Sequence, residues 1–427
     1  MAMMRRAVVT GLGFITSIGN NRAAVLENLR QARSGIEIHP GLDQPGVPYK
    51  LAGTIKGFDL ESPNREAWKF PGGLTIPRTL LRGLPPHGVF AYAAMQEAIA
   101  DAGLPEDQIS HERTGLMCAS AGSTRMLHGN VEKMLKEGIH RCHPNSVSMS
   151  IAGTLNFNLV AAFKIRGPAT GFVDACSSSA IAFGHALDLV RYGRQDIVFV
   201  VGAEDCDIFS ILPFGSCRAL TSGTDPSVHP CAFDVKRDGF AATGGAAVLV
   251  VEELEHAQER GARIYAEAAG WGQTSDGYHV MAPEPNGEGL ERAMEQTLHD
   301  AQMSSAEIDY VNAHATATPL GDPAECRALK KVFGKASPLI SSTKSQTGHA
   351  LSMAGALEAA ICCLAIREQF TPVSMNITEL DPACEGLRIV TNPIAHAPRA
   401  VLSNSSAFGG ANVSLALRAF EDEASGK

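Results

Sequence analysis

The chain reads as an α/β protein built from two copies of one unit. Three observations predict this. Short apolar runs at residues 7–10, 114–118, 197–202 and 246–251 have the length and composition of buried strands. Helical patterns lie between them, at 90–102 and 181–192, the second stopped by Gly193. Strand alternating with helix implies parallel strands in a covered sheet. The third observation is repetition. AMQEAIADAGL (94–104) has a counterpart in AMEQTLHDAQM (293–303), and each is followed by an acidic turn and an apolar strand. GGAAVLVVEEL (244–254) matches GGANVSLALRAF (409–420), with the same GGA and a shared valine. The two markers occur in the same order, so the halves divide at 1–257 and 258–427. A solenoid would need shorter periods and more copies. The first half is longer, and its Pro/Gly/Arg-rich stretch 71–88 reads as a surface loop.

A chain of 427 residues can bury a large core without disulfides or a structural metal. Its formal net charge of −9 excludes a general binder of nucleic acid or membrane surface, because neutralising phosphates needs clustered positive charge. The ten cysteines show no CxxC pair, so there is no zinc pattern, and a reduced, cytoplasmic setting is expected. Two arginines before an apolar run imitate a signal peptide, but Thr10, Gly11 and Gly13 interrupt the run and it reads as a first strand. No stretch reaches the ~18 apolar residues of a membrane span. TGLGFITSIG lacks the third glycine of a dinucleotide fingerprint.

Four segments could carry chemistry. In VDACSSSAIAFG, Cys176 falls between a strand and a helix. A helix N-terminus favours thiolate over thiol and offers unpaired N–H groups to an oxyanion. The bland alternative is a small buried cysteine, accepted for the other nine. His314 in YVNAHATATPLGD, and Lys344 and His349 in ISSTKSQTGHALSMAG, follow apolar strands without any amphipathic stripe to explain them. Loops at strand C-terminal ends are where open α/β sheets bind ligands. In SNSSAFGGANVSL, Gly409 and Gly410 allow a tight turn that can aim an N–H at a site.

At these segments, and at RAVVTGLG, FDVKRDGF (233–240), EELEHAQERGARIYAE (252–267) and TSDGYHVMAPEPNGEG (274–289), the sequence resembles the β-ketoacyl-acyl carrier protein synthases over nearly its whole length, most closely the elongating type I/II enzymes. The resemblance implies a thiolase-like fold, two pseudo-duplicated βαβαβ halves in α-β-α-β-α layers. It implies a decarboxylative Claisen condensation between an acyl-enzyme and malonyl carrier protein, giving β-ketoacyl carrier protein and carbon dioxide. By resemblance, Cys176 is the nucleophile, His314 and His349 bind the malonyl thioester carbonyl, Lys344 supports them, and Glu325 is its acidic partner. The N–H groups of Cys176 and Phe408 form the oxyanion hole, with Phe408 also a gate. Thr316 and Thr318 bind the phosphopantetheine arm. Phe214, Gly409 and Gly410 complete the substrate site, and Gly122 leaves its acyl cavity deep. No metal or cofactor is expected, since phosphopantetheine on the carrier protein brings the substrates. An acidic carrier protein would dock on Arg78, Arg82, Lys133, Lys136, Arg141 and Arg218. A homodimer is expected, or a heterodimer with a related subunit, the first half supplying the interface.

The chain departs from the family's pattern. HGTST reads HATAT, with Ala315 and Ala317; GFGGTN reads AFGGAN, with Ala407 and Ala411 after Ser406; GHxxGAAG reads GHALSMAG, with Ser352 and Met353. A thiolase would need a second cysteine in the C-terminal glycine loop, and none is there. A Cys-His hydrolase would leave one histidine unexplained. A non-catalytic chain-length factor, which typically lacks the cysteine, is the alternative that the altered motifs keep open.

Overall fold

The computed structural model describes residues 4–62, 64–205 and 207–421. Cys206 lies outside them. Among the described residues eleven strands form one continuous sheet, and its order shows the duplication. In the first half, Ala169–Phe172, Thr114–Ala119, Ile197–Glu204, Gly245–Glu253 and Ala7–Ile15 follow one another across the sheet. In the second, Leu339–Ser341, Tyr310–Asn312, Ala400–Ser406, Ala411–Arg418 and Ala266–Ser275 do the same, with Arg388–Ile389 added at the edge. In each half the first three strands are parallel and the last two antiparallel. The halves meet where Ala7–Val9 pairs antiparallel with Ala266–Ala268. Both repeat markers fall on matching elements. The 94–104 and 293–303 motifs lie in or run on from helices Pro86–Ala102 and Glu288–Ala301, and the two GGA motifs lead into Gly245–Glu253 and Ala411–Arg418.

Two helices, Ser178–Arg191 and Ala354–Glu368, fill the middle layer. Each touches strands of both halves. They are apolar on nearly every side, as a helix buried between sheets must be. Gly355 makes their contact possible: a Cβ there would stand 2.5 Å from the Ala180 nitrogen. Pro86–Ala102 and Leu155–Phe163 cover the first half on its outer face. Glu288–Ala301 and Gly321–Phe333 cover the second. The result is the five-layered arrangement of thiolase-like folds. A small sheet of Ile36–Ile38, Leu51–Gly53 and Ala242–Thr243 sits to one side.

The stretch 71–88 is only partly loop. Arg78–Leu81 is a short helix, and Pro86 to Gly88 are buried as the first turn of Pro86–Ala102. Proline suits that position because its missing N–H is one a helix start leaves unpaired anyway. No helix among the described residues is long and apolar enough to cross a membrane.

Candidate active site

Each half sends the C-terminal ends of its three parallel strands to one place. Phe172 leads through Ala175 to Cys176, and Ala119 leads to Gly122. Asn312 leads to His314, Ser341 to Lys344 and His349, and Ser406 to Phe408. Cys176 precedes the helix Ser178–Arg191, as the sequence predicts. Ala175 carries φ +44°, an uncommon value for a residue with a Cβ, and turns the chain sharply before the cysteine. The three serines that follow are structural. Ser177 and Ser178 hold Asp174 and Ala175, and Ser179 Oγ accepts the Ala356 N–H from the other central helix at 2.9 Å.

The Cys176 sulfur lies 3.0 Å from His349 Nε2. His349 is pinned at both backbone ends: its N–H donates to the Ala241 carbonyl and its carbonyl accepts the Thr243 N–H. The rings of His314 and His349 stand edge to face, 5.4 Å apart. His314 is placed through its backbone, for Glu325 accepts the N–H groups of His314 at 2.9 Å and Ala315 at 2.7 Å. Asn404 steadies the same carboxylate.

Lys344 pairs with a different residue. Its ammonium is bonded to Glu358, both fully buried. Glu325 feels the lysine's charge but spends its oxygens on the His314 loop. The expected pairing is therefore corrected: Glu358 neutralises Lys344, and Glu325 orients His314. Sequence reading passed over Glu358, although a lone carboxylate in the apolar run AGALEAAICCLAI signals a buried charge in need of a partner.

Burial sets the protonation states. It pushes both histidines well below the usual range, and the Lys344 cation pushes them the same way. Both imidazoles are therefore neutral at pH 7. Burial also pushes the Cys176 thiol up to about 12, which outweighs the pull of Lys344. The helix terminus alone thus does not yield a resting thiolate. The proton has to be taken by His349, which stands in contact to receive it. Burial raises Glu358 to about 7 against the opposing effect of Lys344.

Two cavities meet at the cysteine. A cavity of about 420 Å³ opens outward, lined by Cys176, His314, His349, Thr316, Thr318 and Phe408 among others. The two threonine hydroxyls are 3.1 Å apart on its wall. Arg218 also lines it, and is exposed. The second cavity, about 230 Å³, runs past Phe214 and Gly122. The rings of Phe214 and Phe408 are 6.1 Å apart. Gly122 is glycine for a backbone reason: its φ is +82°, and a Cβ would meet the Ala152 nitrogen at 2.8 Å and the Ser150 carbonyl oxygen at 2.9 Å. A side chain there would strike that backbone before it could cap the cavity. Gly409 and Gly410 line neither cavity. They make the turn, with the Gly409 N–H on the Val280 carbonyl and the Gly410 carbonyl taking the Asp276 N–H.

The basic residues divide. The pKa of His143 is lowered by burial and, beside that, by the charges of Arg65, Arg82 and Lys133, which therefore lie near it. Arg78 pairs with Glu66 and Lys136 with Glu132. Arg141 is exposed in the turn Ile139–Arg141. Arg218 alone of the six stands at the outer cavity. Among the described residues no group of three or more His, Cys, Asp or Glu side chains could hold a metal ion.

Residues 4–257 match the N-terminal domain of β-ketoacyl synthases, and residues 265–378 match the C-terminal domain. The chain belongs to the β-ketoacyl synthase family. It is 42% identical over 422 residues to 3-oxoacyl-[acyl-carrier-protein] synthase 1 of Haemophilus influenzae, covering 98% of this chain and 100% of that one. The corresponding Escherichia coli K12 protein is 39% identical over 424 residues, with the same coverage. Among solved structures, a β-ketoacyl synthase from Burkholderia phymatum superposes with a TM-score of 0.89 at 33% identity, covering 98% of this chain and all of that one. The ishigamide ketosynthase/chain length factor superposes at 0.86 with 32% identity, with equal coverage. The ketosynthase is thus a condensing acyltransferase, and the chain-length-factor reading is not favoured.

Proposed function

We propose that this ketosynthase elongates chains carried by an acyl carrier protein, with the first half holding the growing acyl group and the second handling the malonyl unit. The contact between Cys176 and His349 carries the reading. His349 takes the thiol proton as the sulfur attacks the acyl thioester. The carbonyl oxygen becomes an oxyanion facing the N–H groups of Cys176 and Phe408. The pantetheine thiolate leaves, regains the proton, and acyl-Cys176 remains. Malonyl thioester then enters the outer cavity, its arm passing Thr316 and Thr318. Proton exchange with water between the half-reactions moves His349 to its Nε2–H tautomer, so that two neutral imidazoles can each donate an N–H to the thioester oxygen. As carbon dioxide departs, charge builds on that oxygen, and each such donor is worth on the order of 10²–10³ in rate. The enolate carbon attacks acyl-Cys176, the C–S bond breaks, a chain longer by two carbons leaves on the carrier, and the Cys176 thiolate takes up one proton from water to restore the thiol. Burial, reinforced by the charge of Lys344, keeps both imidazoles unprotonated, and Glu358 keeps the lysine tolerable in the interior. The steps call for no resident metal or cofactor.

The partner is an acidic carrier protein. Arg218 at the cavity mouth favours its phosphopantetheine, and the cations around His143 suit its surface. A second copy, or a related subunit, would cover the edge strand Ala169–Phe172 and the apolar residues near it. Val173, directly after that strand, is 56% exposed, and Phe157, on the helix packed against it, is 57% exposed; both suit burial in a dimer. We place the enzyme in the cytoplasm, beside its carrier. Intact-protein mass spectrometry with acyl and malonyl carrier thioesters tests the reaction. A chain two carbons longer is expected; free acid as the only product would mean hydrolysis, and no acyl-Cys176 would mean a binding subunit.

A further inference from the structure

The inner cavity beside Cys176 is not walled by hydrocarbon alone. Phe209, Pro213, Phe214 and Leu351 line it, but so do Thr124, Glu204, Ser210 and Ser352. Glu204 ends the strand Ile197–Glu204 and is 1% exposed, yet the chemistry described above makes no use of it. Its Oε1 accepts the Ala121 N–H at 2.9 Å and also the Ser352 hydroxyl. Oε2 takes neither bond. Ser352 follows His349 by three residues, and Glu204 and Ser352 both line the same cavity as Cys176. The charge of Glu204 is felt there, among those that raise the thiol's pKa. The hydroxyls of Thr124 and Ser210 have no side-chain partner among the described residues.

A plain alkyl chain pressed against this wall would strip water from polar groups and give nothing back. A chain hydroxyl would satisfy them. Burial raises Glu204 to about 7, so near neutral pH both its ionised and protonated forms are present. A hydroxyl can donate to the first and accept from the second, whereas a ketone can only accept. Sites built to hydrogen-bond a hydroxyl discriminate strongly against the analogue that lacks it, because their own buried groups are left unpaired.

We propose that the acyl group received by Cys176 bears a hydroxyl on a carbon near the thioester, and that Glu204 and Ser352 are the pair that recognises it. This rests on the ketosynthase reading and names the substrate class for it. Loading exchanges one thioester for another: the Cys176 sulfur bonds to the acyl carbon, the pantetheine sulfur leaves, and the thiol proton passes to it. The hydroxyl is unchanged.

The test is a competition. The full chain is mixed with equimolar hexanoyl and 3-hydroxyhexanoyl thioesters of N-acetylcysteamine, and the two Cys176 adducts are resolved by intact mass. The hydroxylated adduct is expected in about tenfold excess or more. Ser352→Ala should bring the ratio to within about twofold, and Ser352→Thr, which keeps a hydroxyl, should retain most of it. A purely structural role for Ser352 would change both loading rates together and leave the ratio alone. Equal or preferred hexanoyl loading by the unaltered protein overturns the proposal, as does an unchanged ratio in Ser352→Ala. No adduct from either thioester overturns the ketosynthase reading along with it.

Discussion

The two halves share a strand order and differ at the strand ends. Thr114–Ala119 and Tyr310–Asn312 occupy equivalent places in the sheet. One leads to Gly122 on a cavity wall, the other to His314. Ala169–Phe172 and Leu339–Ser341 are likewise equivalent, and lead to Cys176 in one case and to Lys344 and His349 in the other. The first half therefore supplies a nucleophile and a place to store a chain. The second supplies neutral imidazoles and a buried cation. Duplication gave two matching sets of loops at one site, and the division of labour lies in a few residues at their tips.

That division can be tested from each side. The largest effect should come from the first half: Cys176→Ala should abolish the acyl-enzyme adduct and lower turnover by about 10⁴-fold or more, read by mass spectrometry and carbon dioxide release. Next, His314→Ala should lower malonyl decarboxylation by about 10²–10³ while Cys176 still loads, whereas His349→Ala should slow both half-reactions. Equal loss of loading in the two variants would break the assignment of roles. Third, Lys344→Met leaves Glu358 buried without a partner, a loss on the order of 3–5 kcal/mol in denaturant unfolding. It also removes a charge that lowers both histidines, so the acidic limb of the pH–rate profile should move towards neutrality.

The smallest effect concerns Asp322, at the start of the helix that carries Glu325. Burial raises it to about 7, against an ordinary value near 3.8. Between those values the folded chain holds a proton that the unfolded chain has released. Its contribution to stability is thus complete below about 4 and is lost as pH rises to 7. Asp322→Asn keeps an oxygen for the Phe233 N–H but cannot ionise. Relative to the unaltered protein it should gain roughly 2–4 kcal/mol between pH 4 and pH 8, read by thermal unfolding at both. An unchanged difference would show that Asp322 titrates normally.

Much of this was legible in the sequence. The paired GGA motifs and the paired helices fall on equivalent elements, because a duplicated unit keeps its packing residues. Cys176, His314, Lys344 and His349 stand out because polar residues right after apolar strands have no core role. The partnerships were not legible. Glu325 and Glu358 sit on different helices, and which one meets Lys344 depends on how two layers stack. The buried start at Pro86 was hidden because prolines and glycines read as loop when a helix begins among them. Ser352 looked like a small departure from a motif, and only the fold sets it against Glu204, 148 positions away.

The crowded backbone around Gly122 has a consequence for retuning the enzyme. Random libraries at that codon would return mostly misfolded clones, since any new side chain must first displace residues 150–152. Diversity is better spent on Thr124, Phe209 and Ser210, where the cavity wall consists of side chains and a change of size is felt by the substrate before it is felt by the scaffold.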